Sequence, residues 1–220
     1  MPAFCGMPHA LATLALLIFS DLLMLGSQPL GTGVPAGWMV RTIRGKPAPA
    51  YSIRETADGR AFRLEGQGSA AWLYHPLPAS ITAGASMSWT WRVLRAPATA
   101  DLRRKQLDDS PIRVFVVFGR WEDLGRSAHA IFYTWGNAED AGLETLSHVS
   151  RRIAIVRMAG AAETGDTWRE VRVRPFEDYA RIFGSGASPI TTVGLMQDTD
   201  QTREAAVAEI RDLHLLEDSR

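Results

Sequence analysis

From residue 29 onward the chain alternates between short apolar runs and clusters of Gly, Pro, Asp and Ser. Few folds satisfy that rhythm. Apolar runs of five to ten residues with period-two alternation are strands, and turn residues between them at this spacing make a sandwich or barrel, not a βαβ fold. The pattern predicts strands at 38–43, 50–55, 61–65, 70–75, 85–94, 112–118, 129–135, 153–158, 168–174, 191–197 and 207–216. Asp58-Gly59 reads as a hairpin turn, since Gly accepts positive φ and Asp bonds its own backbone. One helix is predicted at 176–183, opened by Pro175, favoured by Glu177 and Asp178 at its N-terminus and stopped by Gly184. The expected fold is all-β, a two-sheet antiparallel sandwich of jelly-roll type with one short helix.

The first 28 residues differ. Residues 10–19 are apolar apart from Thr13, residues 22–25 continue the run after Ser20 and Asp21, and small Gly26 and Ser27 follow. This is the pattern of a signal peptide or N-terminal anchor, although no Lys or Arg precedes the apolar run. Asp21 interrupts a membrane-spanning length. The expected organisation is a leader over 1–28 and one β-sandwich domain over 29–220, in an exported protein, periplasmic or secreted, with no stable membrane span in the mature chain. Cys5 is the only cysteine, so a chain without the leader holds no disulfide and no thiolate-bound metal.

Lys+Arg and Asp+Glu number 24 each. That balance gives no net field for nucleic acid, and none is expected as a partner. Arg103, Arg104 and Lys105 form a local basic run that reads as a solvated loop. Two long polar connections, 95–111 and 136–150, break the strand rhythm, and long loops on a β scaffold commonly carry function. The motifs of a nucleophile elbow, P-loop, dinucleotide fold and H-E-x-x-H zinc site are missing.

Several strands carry chemistry-bearing residues. In Ser88-Trp89-Thr90-Trp91-Arg92-Val93 the indoles and Val93 share one face, which reads as core. Arg92 then points to the opposite face and needs a carboxylate or solvent. In the run from Asp108 to Phe118 both faces are nearly apolar, the signature of a central strand covered on both sides. Arg113 sits near its start, where Asp108 or Asp109 could pair with it. His129, Ile131, Tyr133 and Trp135 share a face, and the polar tips of the His, Tyr and Trp suggest a ligand-contact strip, with a structural histidine the competing reading of His129. The candidate ligand-binding set is therefore Arg92, Arg113, His129, Tyr133, Trp135 and Asp109. If the protein were a polysaccharide lyase, Tyr133 or His129 would be the base, with Arg92 or Arg113 neutralising the substrate carboxylate. Asp198, Asp200 and Thr202 place oxygens at alternate positions, as calcium loops do, but Arg203 stands where such a loop needs Gly and no bidentate Glu follows. An Asx-type turn is the competing reading.

Taken in order, SWTWRV (88–93), DDSPIRVFVVFG (108–119), AIFYTWG (130–136), W-x-E-V-R-V (168–173), DYARIFG (178–184), LMQDTDQT (195–202) and EIRDLHL (209–215) resemble the DUF3047 family. The resemblance runs from about residue 37 to 216. It implies an exported bacterial sandwich related in outline to carbohydrate-binding jelly rolls, and it brings no residue roles. Gln201 and Arg203 stand where the family's late motif has Asn and Gly. The expected role is a module binding a glycan or another polar envelope component; a polysaccharide-acting enzyme and a structural partner of an envelope complex are the alternatives.

Overall fold

The computed structural model of the chain describes residues 20–218. Its strands are β1 (Ser20–Asp21), β2 (Gly31–Thr32), β3 (Met39–Thr42), β4 (Ala50–Thr56), β5 (Gly59–Gln67), β6 (Ala70–Ile81) and β7 (Ala85–Arg95). They continue with β8 (Ser110–Phe118), β9 (His129–Trp135), β10 (Glu144–Leu146), β11 (Ile153–Ala159), β12 (Arg169–Val173), β13 (Ile190–Asp198) and β14 (Ala205–Glu217). Among the described residues the one α-helix, α1, is Pro175–Phe183, with Pro175 in its first turn and Gly184 at φ 87° ending it. Each of the eleven predicted strands is present. The short β1, β2 and β10 were not predicted, because two or three residues carry no readable period.

The strands form two seven-stranded sheets, here called front and back. The back sheet runs β12-β7-β14-β5-β4-β2, with β1 added on β14; the front sheet runs β10-β11-β9-β8-β13-β6-β3. From β5 onward the chain passes repeatedly between them, to β6 in front, β7 behind, β8 in front, and later β12, β13 and β14 by turns. This alternation is the jelly-roll arrangement of a two-sheet sandwich. Among the pairings of described strands one is parallel, β9 with β11. The long 136–152 connection lets the chain return in the same direction.

Period-two alternation fixes what lies between the sheets. Trp89, Trp91 and Val93 of β7 face Ile131, Tyr133 and Trp135 of β9 and Val114, Val116 and Phe118 of β8, and all nine are fully buried. The intervening residues of β8 and β9, among them Phe115, Val117, Ala130 and Phe132, form a second apolar layer on the outer side of the front sheet. Every residue of β8 is buried, as expected of a strand covered on both faces. Phe176 and Tyr179 of α1 pack on Phe118 at ring separations of 5.4 and 4.7 Å, so the helix closes part of the inter-sheet core.

The fold also reaches back across residue 28. Leu22, Leu23 and Leu25 are buried in the inter-sheet core, and β1 pairs with β14. The apolar run at 10–19 lies outside the described residues. Among the described residues no helix is long and apolar enough to cross a membrane.

Candidate functional site

The two long loops fold against each other over the outer side of the front sheet. Glu139, almost wholly buried, accepts hydrogen bonds from the Leu102 backbone N–H at 2.6 Å and the Asn137 N–H at 2.6 Å. Asn137 Nδ2 donates to the carbonyls of Ala98 and Ala100, and His148 Nε2 lies 3.1 Å from the Leu102 carbonyl. Together with the turn after β13 they leave a cleft of about 230 Å³. Its floor is apolar and aromatic, with Trp72 of β6, Phe132 of β9, Ile153 of β11 and Met196 of β13. Lys105 and Asp108 come from the first loop, Ser147, His148 and Val149 from the second, and Asp198, Asp200 and Gln201 from the β13 end. Arg113 rises from β8 at the base.

Charge is concentrated at that base. Arg113 is 5% exposed. Its Nη2 donates to the Asp108 carbonyl at 2.9 Å and to Asp108 Oδ1 at 2.8 Å, while its Nε has no partner. Asp198 Oδ1 is likewise shut off from solvent without a partner. Burial is the main cause that pushes the Asp198 carboxyl up to about 7; Arg113 opposes the shift, and the charges of Asp200, Asp109 and Asp108 add to it. Asp200 Oδ2 pairs with Lys46 at 3.0 Å. Asp109 accepts from the Gln201 N–H at 3.1 Å, the Thr202 N–H at 2.7 Å and the Thr202 hydroxyl at 2.6 Å, pinning the turn after β13. Burial still raises its carboxyl above the ordinary carboxylate value.

The sequence-based candidates separate. Arg113 alone of the six ligand-contact candidates lines the cleft. Asp109 lies beside it but is occupied in holding the turn, and Asp108 is the residue that pairs with Arg113. Tyr133 and Trp135 are not on a ligand strip. They are fully buried between the sheets, packed on Trp89 and Trp91 at 5.7 and 5.5 Å, because four bulky aromatics on facing strands fill the core best together. The polar tip of Tyr133 donates to Asp178 Oδ2 at 2.8 Å. It is Phe132, on the opposite side of the same strand, that reaches the cleft. His129 stands at the other end of β9, against Tyr179, Phe183 and Arg152. Its pKa is lowered by burial and by the Arg152 charge. Arg92 lies on the outer side of the back sheet, where Nε and Nη2 both bond Glu209 Oε2 at 2.8 and 2.7 Å. Tyr133, His129, Arg92 and Arg113 thus occupy separate regions, and the lyase constellation does not assemble.

The calcium set also changes composition. Asp109, Asp198 and Asp200 each present a carboxylate oxygen within 4.8 Å of the others, an arrangement that could hold a cation. The Thr202 hydroxyl donates to Asp109 and accepts from the Glu204 N–H. Lys46 and Arg113 already bring positive charge to this cluster. Sequence reading missed Trp72, Phe132, Lys105 and His148 as cleft residues. The available signal was the alternation of β6, where Leu73 points inward and Trp72 and Tyr74 must share the outer side.

The sequence profile of the DUF3047 family, described as a protein of unknown function, matches residues 36–214. No curated protein matches the chain. Among solved structures the chain is similar to the family 11 xylanase from Neocallimastix patriciarum, at 10% identity and TM-score 0.46, covering 92% of this chain and 100% of that one. It is also similar to the CBM22-1 xylan-binding domain from Paenibacillus barcinonensis Xyn10C, at 10% identity and TM-score 0.39, covering 84% and 88%. The enzymatically active domain of Bacteriophage CBA120 tailspike protein 4 matches at 10% identity and TM-score 0.44, with 82% of this chain spanning only 19% of that one. Likenesses this distant transfer no residue and no activity. The family match is of another order: covering most of the chain, it makes this protein a member of the DUF3047 family.

Proposed function

We propose that this protein is a binding module of the bacterial envelope, periplasmic or secreted, that holds a neutral glycan segment in the cleft on the outer side of its front sheet. The observation that carries the reading is the cleft itself, floored by Trp72 and Phe132 and lined by both cations and carboxylates. A sugar hydroxyl both donates and accepts, so it suits a lining that mixes cationic donors with carboxylate acceptors. The apolar face of a pyranose suits an indole. Lining charge argues for a neutral ligand: Lys105 and Arg113 face Asp108, Asp198 and Asp200, a balance that disfavours a polyanion. Tryptophan-fluorescence titration against a panel of neutral and acidic oligosaccharides tests it. Saturable change with neutral glycans, lost in Trp72→Ala, supports the reading; silence across the panel from a protein with intact circular dichroism overturns it.

A second reading is favoured by Asp198 alone. A carboxyl pushed up to about 7 and set beside two other carboxylates has the character of a general acid in glycoside hydrolysis. Release of reducing ends from a bound glycan, abolished in Asp198→Asn, would support hydrolysis over binding alone.

A further inference from the structure

The apolar stretch at the N-terminus holds two groups of residues with different work to do. Residues 10–19 alone supply an apolar run of the length a signal sequence needs, about 7–15 residues. Leu22, Leu23 and Leu25 are surplus to it, and all three are buried in the core, at 6%, 0% and 5% exposure. The backbone around them is equally engaged. Asp21 pairs with His214 in register, and the Leu22 N–H donates to the Leu213 carbonyl at 2.8 Å. Trp38, itself buried, donates its indole N–H to the Leu22 carbonyl at 2.7 Å. Beyond it, Arg60 Nη1 donates to the carbonyls of Leu25, Gly26 and Gln28 at 3.1, 3.0 and 2.7 Å.

Gly26 and Ser27 are the small residues that mark a processing point in the sequence; both are exposed, yet the backbone on either side of Ser27 is tied to Arg60. Residues Leu25–Ser27 form a 3-10 turn entered through Met24 at φ 47°, so the segment has a defined conformation within the fold. Cutting after Ser27 or Gln28 would also strip the core of three leucines and leave the Trp38 N–H buried without an acceptor. Those losses make retention the stable arrangement.

We propose that residues 21–28 remain in the mature protein as a structural strap, and that any cleavage removing the apolar leader falls on the N-terminal side of Asp21. The test is to express the full 220-residue chain with a C-terminal tag in a Gram-negative bacterium. The protein is recovered from periplasm and membranes, and its first residue is read by intact mass and N-terminal sequencing. A first residue at Asp21 or earlier, an unprocessed chain included, is the expected result. A folded protein beginning anywhere from Leu22 to Pro29 would overturn the proposal. Limited proteolysis of the same native protein gives an independent readout. Bonds within 21–28 should resist as long as those of β7 and β8, and early cutting there that leaves the thermal midpoint unmoved would contradict the strap.

Discussion

The backbone N–H of Leu102 donates to Glu139 Oε1 at 2.6 Å, and this bond between residues of different loops turns two polar connections into one wall of the cleft. Glu139 uses its other oxygen for the Asn137 N–H and has Arg157 Nε 3.8 Å away. Glu139→Ala leaves two backbone donors without their acceptor and the buried Arg157 without its counter-charge, and should cost about 3 kcal/mol. Glu139→Gln keeps one acceptor and should lose roughly half of that. Urea unfolding checks both values, and hydrogen exchange should show loops 95–111 and 136–150 loosening together.

Asp198 links stability to pH. Its folded-state pKa is raised above the unfolded value, so between about 4 and 7 the native state holds a proton that the unfolded chain releases. Stability contributed by this group is therefore greatest in acid and falls as pH rises through 7, by roughly 4 kcal/mol at most. Asp109 shifts in the same direction. Asp198→Asn should stabilise the protein at pH 8, do little at pH 4, and flatten the dependence between them, as read from denaturation midpoints.

Gly194 of β13 sits beneath the ring of Phe115, its neighbour in register on β8. A Cβ added there would lie 1.9 Å from the ring, so the ring or the strand must move. Gly194→Ala should destabilise by about 2–3 kcal/mol, as overpacked cores do. Gly194→Ala combined with Phe115→Leu should recover part of it. Thermal unfolding of the two variants measures this.

Arg92 and Arg113 lie on opposite outer faces and should respond differently. Arg92→Ala removes one of two cations from buried Glu209, with Arg63 still 2.8 Å away. A cost of about 2 kcal/mol in stability and no change in glycan affinity is expected. Arg113→Met should weaken binding tenfold or more, while Asp108, partly exposed, tolerates the loss. Parallel melting and titration separate the two effects.

Architecture was legible because strand period and turn residues are local properties. β7 shows this well: Trp89, Trp91 and Val93 could share only one face, and Arg92 needed a carboxylate or solvent and met Glu209. The helix was legible from Pro175 and Gly184. The site was not, because nothing local says which side of a two-sided strand meets the other sheet. Tyr133 and Phe132 are adjacent and both aromatic, and only the placement of Trp89 and Trp91 opposite sends Tyr133 inward and Phe132 outward. The pairing of Arg113 with Asp108 over Asp109 depends likewise on where the turn at 199–204 docks. Leu22, Leu23 and Leu25 were hidden for another reason. In sequence they extend an apolar leader without a break, and only the edge of β14 shows that they belong to the core.

The most direct test of the cleft as binding surface is indole N–H chemical-shift mapping during titration with a glycan that quenches fluorescence. Trp72 lies in the cleft, Trp168 stacks between Arg92 and Arg211 on the opposite side of the molecule, and Trp89, Trp91 and Trp135 are sealed in the core. The account predicts that the Trp72 resonance moves with saturation while that of Trp168 stays fixed. Movement of Trp168 with Trp72 unchanged would place the ligand on the back sheet and contradict it.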